Sequence, residues 1–132
     1  MKLSEAEWKI MNAVWERHPA SARDVMERLE GQSSWAYTTI KTMLTRLADK
    51  GALTSRLRAK TTLYDPILTR ENARRSALRS VLDNAFSGAF GPMLHFLVSQ
   101  EKLTKAQRED LVRAIEEKPA RSAAAGGKKR TE

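Results

Sequence analysis

The spacing of apolar residues turns from helical to alternating at Gly51, and that change constrains the fold of this chain more than any other feature. Before it, apolar side chains recur every three or four residues, as on helices with one buried face. After it, in "LTSRLR", they alternate as on a strand. On the helical side, Ser4-Glu5-Ala6-Glu7 has the S-x-x-E form of a capping box. With Trp8, Met11, Val14 and Trp15 behind it, this predicts a helix over about residues 5–16, ended by His18 and Pro19. Ser21 then opens a short second helix carrying Val25, Met26 and Leu29, which stops near Gly31. A third helix follows the polar loop "GQSSWA". Its apolar stripe is Ile40, Met43, Leu44 and Leu47; Thr38, Thr42, Thr45 and Asp49 lie opposite, flanked by Lys41 and Arg46.

Beyond Gly51, Leu53, Ser55 and Leu57 point one way while Thr54, Arg56 and Arg58 point the other. "TTLYDPIL" supplies a returning strand around a tip at Ala59-Lys60, and Pro66 fits an edge or the strand's end. Three helices packed on a hairpin make a winged helix-turn-helix domain, expected over residues 1–69. Thr69 caps a fourth helix whose apolar positions, Ala73, Ala77, Leu78, Val81, Leu82, Ala85 and Phe86, form a stripe about five turns long. The winged domain is too small to cover it. Gly88, Gly91 and Pro92 then break the chain, "MLHFLV" is almost wholly apolar, and Thr104-Lys105-Ala106-Gln107 caps a last helix bearing Leu111, Ala114 and Ile115. Helices this short and apolar form no core alone, so a second copy is their expected cover. The expected homodimer interface is Leu78, Val81, Leu82, Phe86, Met93, Phe96, Leu97, Leu111 and Ile115, within a helical dimerisation domain over residues 70–118. Residues 119–132, "PARSAAAGGKKRTE", read as a disordered basic tail. The fold class is mainly α with a small β-hairpin.

A formal charge of +8 on 132 residues makes a polyanion the first partner to consider, although charge alone would equally suit a ribosomal protein. The absence of cysteine removes disulfides, thiol redox chemistry and thiolate metal sites, and is compatible with the cytoplasm. No apolar run reaches the roughly 20 residues a membrane span needs, and "MKLSEAEW" lacks the apolar core of a signal peptide, so a soluble protein with no membrane association is expected. Catalysis has nothing to stand on, since no paired-carboxylate, G-x-S-x-G or Gly-rich phosphate motif occurs. Of the two histidines, His18 is expected to complement the negative end of the first helix and His95 to be packed or interfacial. No catalytic residue, metal site or cofactor is expected. Trp8, Trp15 and Trp35 read as core residues, Trp35 as the least buried.

The third helix carries the functional signal. A plain solvated surface is one account of its polar face. Yet threonines at 38, 39, 42 and 45 carry a propensity cost that exposure alone does not explain. Their hydroxyls suit phosphate oxygens, their methyls suit thymine methyls, and Lys41 and Arg46 are placed to reach the phosphate walls of a major groove. Arg56, Arg58 and Lys60 have two compatible roles, as charges that keep the hairpin edge from pairing and as a wing against DNA. The basic "GGKKR" could touch DNA or only solubilise the tail. The competing class is a winged-helix protein interaction module without operator specificity, which should present large apolar side chains on the third helix.

"LSEAEWKIMNAVW", "TTIKTMLTRLADKG", "LYDPIL" and the spacing through "SGAFGPMLHFLVSQEKLT" resemble the penicillinase-repressor family of bacterial transcriptional regulators, the BlaI/MecI type, over about residues 3–118. The resemblance implies a homodimeric winged-helix repressor on a palindromic operator, controlling a resistance or stress operon such as that of a β-lactamase. It matches the family's DNA-reading threonines to Thr39, Thr42 and Thr45 and its basic positions to Lys41 and Arg46. Where the family often opens this helix with Ser-Pro, this chain has Ala36-Tyr37; the clustered cysteines of copper-responsive members are absent. In β-lactam-responsive relatives a membrane sensor protease cuts the repressor before its last helix, typically between Asn and Phe. Alignment places that bond at Phe96-Leu97, with the asparagine missing.

Overall fold

A computed structural model of the chain describes residues 1–100 and 103–129. Among them, six helices and one hairpin follow in the order α1 (Glu5–Glu16), α2 (Ala22–Arg28), α3 (Tyr37–Asp49), β1 (Leu53–Arg58), β2 (Thr61–Pro66), α4 (Arg70–Phe86), α5 (Phe90–Gln100) and α6 (Lys105–Lys129). The chain divides into two compact units, Met1–Gly88 and Ala89–Glu132. The first takes in α4, although the composition suggested a boundary at residues 69 and 70. Ala73 of α4 is buried, and the Ser76 hydroxyl donates to the Met1 carbonyl at 2.9 Å, which ties the helix to the start of the chain.

Helix starts are set by side chains. The Ser4 amide donates to Glu7 Oε1 at 2.9 Å while the Glu7 amide donates to Ser4 Oγ at 3.1 Å. Ser21 and Asp24 repeat the exchange at α2, at 3.0 and 3.1 Å. The Thr69 hydroxyl accepts from the Asn72 amide at α4, and Thr104 and Gln107 form a capping box at α6. Only α3, of the first four helices, starts without a side-chain cap, at Ala36.

Inside the first unit, α1 contributes Ile10, Met11 and Val14, α2 contributes Val25, α3 contributes Ile40, Leu44 and Leu47, and β1 contributes Leu53. All are fully buried, each worth about 1.5–3 kcal/mol. No buried polar or charged residue accompanies them among the described residues. The hairpin pairs antiparallel, Leu53 opposite Pro66 and Arg58 opposite Thr61, with the tip residue Ala59 at φ 56°. Ala20 and Tyr64 exchange both backbone hydrogen bonds, at 2.9 and 2.8 Å, which fastens the hairpin to the segment leading into α2.

Several expectations are corrected. His18 does not serve the end of α1; its Nδ1 lies 3.4 Å from Asp65 of β2. The α1 end is held instead by Arg28, whose guanidinium donates to the Ala13 and Arg17 carbonyls at 2.8 and 2.7 Å. The three tryptophans are each only partly buried, since a bulky indole with an N–H to satisfy suits the core's margin; Trp15 Nε1 donates to the Leu68 carbonyl at 2.9 Å. Leu57 alternates as expected but is 72% exposed, because the hairpin extends past the core. Gly91 and Pro92 lie inside α5, in the first turn, where a missing N–H costs nothing. α6 continues through Pro119 to Lys129, across most of the segment expected to be disordered; Ala120 and Ala123 to Ala125 are strong helix formers. Residues 130–132 lie outside the described residues.

The two caps predict an acid response. Burial alone would raise the Glu7 carboxyl, but the Ser4 amide, the Lys50 ammonium 3.0 Å away and the Ser4 hydroxyl together hold it below its ordinary 4.5. The Ser21 amide, against a smaller effect of burial, holds Asp24 below 3.8, helped by the Ser21 hydroxyl, Arg28 and Arg17. A carboxyl whose pKa is depressed on folding stabilises the fold above its unfolded value, and that stability is lost as pH falls through its folded value. The contribution should therefore be complete above about pH 5 and disappear progressively below it. Thermal melts of wild type and of Glu7→Gln/Asp24→Asn should converge as pH is lowered from about 6 to about 3. A constant gap would contradict this.

Candidate nucleic-acid interface

α3 presents two unlike faces. While Ile40, Leu44 and Leu47 are at most 1% exposed, Thr38, Thr39, Lys41, Thr42, Thr45 and Arg46 all stand in solvent. The inward stripe fixes the helix's rotation, and thereby which residues look outward. Two hydroxyls are already engaged: Thr42 Oγ1 donates to the Thr38 carbonyl and Thr45 Oγ1 to the Lys41 carbonyl, each at 2.9 Å. With the proton directed inward, the outward oxygen is an acceptor, suited to an amino group on a base edge, and the γ-methyl is available for a thymine methyl. A phosphate contact would require the hydroxyl to rotate away from its carbonyl.

The hairpin stands beside α3. Arg56 lies 3.7 Å from the Asp65 carboxylate, which His18 also approaches, so it has an opposite charge beside it at the hairpin's base. Arg58 and Lys60, nearer the tip, are exposed, and no ion pair is recorded for either among the described residues. Of the three wing cations, these two are the more available to a polyanion.

Two residues were missed from the sequence. Tyr37 opens α3, and its ring has Lys41 Nζ 5.6 Å and Arg23 Cζ 5.7 Å from its centroid. An aromatic four residues before a lysine on a helix is a legible signal for the first contact; the second depends on how α2 packs on α3.

The residues expected at a dimer interface fall into groups. Leu78, Val81, Phe96, Leu97 and Ile115 are exposed, at 42% to 53%, while Phe86, Met93 and Leu111 are partly buried. Leu82 departs from the expectation that one chain leaves this stripe uncovered, being only 7% exposed: the α4 stripe finds partial cover in its own chain. His95 is exposed rather than packed within the chain, and Phe96 and Leu97 lie within α5. No three of His, Asp or Glu gather to hold a metal ion among the described residues, and no described helix is long and apolar enough to cross a membrane.

The methicillin resistance regulatory protein MecI of Staphylococcus aureus is 26% identical over 117 residues, 89% of this chain and 95% of that one. The penicillinase repressor of Bacillus licheniformis is 26% identical over 116 residues, covering 88% and 91%. The solution structure of the monomeric B. licheniformis BlaI with the blaP half-operator aligns with 55% of this chain and 88% of that one, at 30% identity and a TM-score of 0.48. The family model described as penicillinase repressor matches residues 3–117, and this chain belongs to that family.

Proposed function

We propose that this chain is a homodimeric transcriptional repressor that acts in the cytoplasm, binds a palindromic operator through α3 and the hairpin, and controls a resistance or stress operon such as that of a β-lactamase. One observation carries the DNA reading: the solvent face of α3 holds Thr38, Thr39, Lys41, Thr42, Thr45 and Arg46, hydrogen-bonding and cationic groups, and of the large apolar residues of this helix Tyr37 alone is exposed, at 36%. A protein-docking face would carry large aromatic or aliphatic residues at its centre and keep its charges to the rim. Family membership and relatives named as resistance regulators supply the regulated process.

Threonines at base edges and cations at phosphates should fail differently when removed. Thr42→Ala should cost on the order of 1–3 kcal/mol at the operator and little elsewhere. Lys41→Ala and Arg46→Ala should each weaken all sequences and flatten the slope of log affinity against log salt by about one unit. Fluorescence anisotropy on operator and scrambled duplexes reads both effects. Equal operator binding by wild type and a Lys41/Thr42/Arg46 triple alanine variant would refute the assignment and leave the protein interaction module.

Dimerisation is supported by where apolar surface lies. Every described residue buried in the core falls between Ile10 and Leu82, whereas Phe90, Phe96, Leu97, Val98, Val112 and Ile115 are exposed. Apolar helices with so little cover bury that surface against a second copy. Because Leu82 already has cover, a test belongs at exposed positions: Leu78→Lys/Ile115→Lys should sediment as a monomer where wild type sediments as a dimer. A monomeric wild type at micromolar concentration would overturn the proposal.

Release by a membrane sensor protease at Phe96-Leu97, the bond the family resemblance implies, is compatible with the exposure of the second unit. Both residues are exposed, and a helix with little buried surface opens for a protease at small cost. A cut there would separate residues 97–132 from the rest and remove the roughly 10²- to 10⁴-fold gain of holding two half-site contacts in one dimer. Intact-mass measurement on repressor from β-lactam-treated host cells should find a fragment ending at Phe96. A full-length chain while the target genes are on would favour direct ligand control instead.

A further inference from the structure

A cleft of about 310 Å³ opens between the start of α2, the start of α3 and the hairpin, lined among others by Arg23, Tyr37, Lys41, Lys60, Thr61 and Thr62. Three elements each bring a cation to it, and no ion pair is recorded for any of the three among the described residues. Two of these cations are positioned by one ring: Arg23 and Lys41 both lie within 6 Å of the Tyr37 centroid. At the first turn of α2 the Ser21 hydroxyl already occupies the Asp24 amide, and the Asp24 carboxylate, turned back onto the Ser21 N–H, sets a negative charge against the helix's positive end. The attraction in the cleft is therefore a side-chain field, convergent and cationic, with threonine hydroxyls at its rim.

We propose that this cleft seats one backbone phosphate of the operator in each half-site, with Arg23 and Lys60 closing on it and Tyr37 holding Arg23 and Lys41 in place. The proposal rests on α3 facing DNA. It adds a contact from α2 and a bracing residue at the position where the aligned family pattern often has proline. The cleft lies directly beside the threonine face, so a phosphate held there is next to the bases that α3 reads. Charge-assisted hydrogen bonds from an arginine and a lysine suit a phosphate diester, and a braced guanidinium loses less freedom on binding than a free one. Tyr37 acts through its ring, so Phe in its place should serve and Leu should not.

The test replaces single operator phosphates by uncharged methylphosphonates and measures binding by wild type, Arg23→Ala, Tyr37→Phe and Tyr37→Leu. Both positions are exposed, and circular dichroism checks that the variants keep the fold. On unmodified duplex, Arg23→Ala and Tyr37→Leu should bind several-fold more weakly, operator and scrambled DNA alike, with the Arg23→Ala salt slope flattened by about one unit. One methylphosphonate position per half-site should weaken wild type and Tyr37→Phe yet cost Arg23→Ala and Tyr37→Leu little more. Salt-dependent operator binding by wild type with no such coupled position would overturn the seat while leaving the α3 assignment intact. Failure of wild type to bind unmodified operator would bring down both. Saturable quenching of Tyr37 by inorganic phosphate without a coupled duplex position would make this a free-anion site, and would also overturn the proposal.

Discussion

The seating of Ile40, Leu44 and Leu47 against Ile10, Met11 and Val14 is the constraint on which the rest depends. α3 is a poor helix on local grounds. It lacks an N-cap side chain, worth about 1 kcal/mol, and its four threonines cost up to about 0.7 kcal/mol each relative to alanine. Against that total of about 4 kcal/mol, three fully buried aliphatic side chains return roughly 5–9 kcal/mol. Packing decides, so the outward residues are released from any duty to stabilise the helix. Threonines unhelpful to an isolated helix are tolerated here because the inward face supplies what they cost.

The same seating positions the hairpin. Ala52 donates to the Leu47 carbonyl and accepts from the Ile67 and Leu68 amides, so the end of α3 and both ends of the hairpin meet at one residue. With the Ala20–Tyr64 exchange, the base of the hairpin is held from two sides, and its outer half projects free of the core. Arg56 stays near the anchored base, paired to Asp65, and Arg58 and Lys60 go with the projecting half. Position along the hairpin thus gives one of three similar cations an acidic neighbour and leaves two at the projecting end.

How much of this was legible in the sequence follows from the range of each interaction. The caps at Ser4 and Thr69, the α3 stripe and the tip at Ala59-Lys60 are local patterns, and the structure carries each where the spacing put it. What periodicity missed depends on tertiary approach. His18 meets Asp65 across 47 positions of chain, Arg28 reaches back to α1, and Arg23 meets Tyr37 only because α2 lies on α3. The cover over Leu82 was missed for the same reason, since an amphipathic pattern tells which face is apolar but not how much of it a neighbour occupies. The small, basic composition after Pro119 reads as disorder, while the alanines within it favour the helix that continues to Lys129.

One feature of the core separates two properties that usually change together. Because none of the described residues buried in it is polar or charged, its cohesion comes from apolar burial, which moderate changes in ionic strength barely alter. The face proposed for DNA is the opposite case, carrying the exposed cations Lys41, Arg46, Arg58 and Lys60, and attraction of such groups to phosphate weakens steeply as salt is added. A cell under osmotic stress, accumulating ions in its interior, would loosen occupancy of the operator while every molecule stayed folded. On the proposed DNA contact, fold and grip answer to different solvent variables, and the internal ionic content of the cell would act as a dial on repression that requires no inducer.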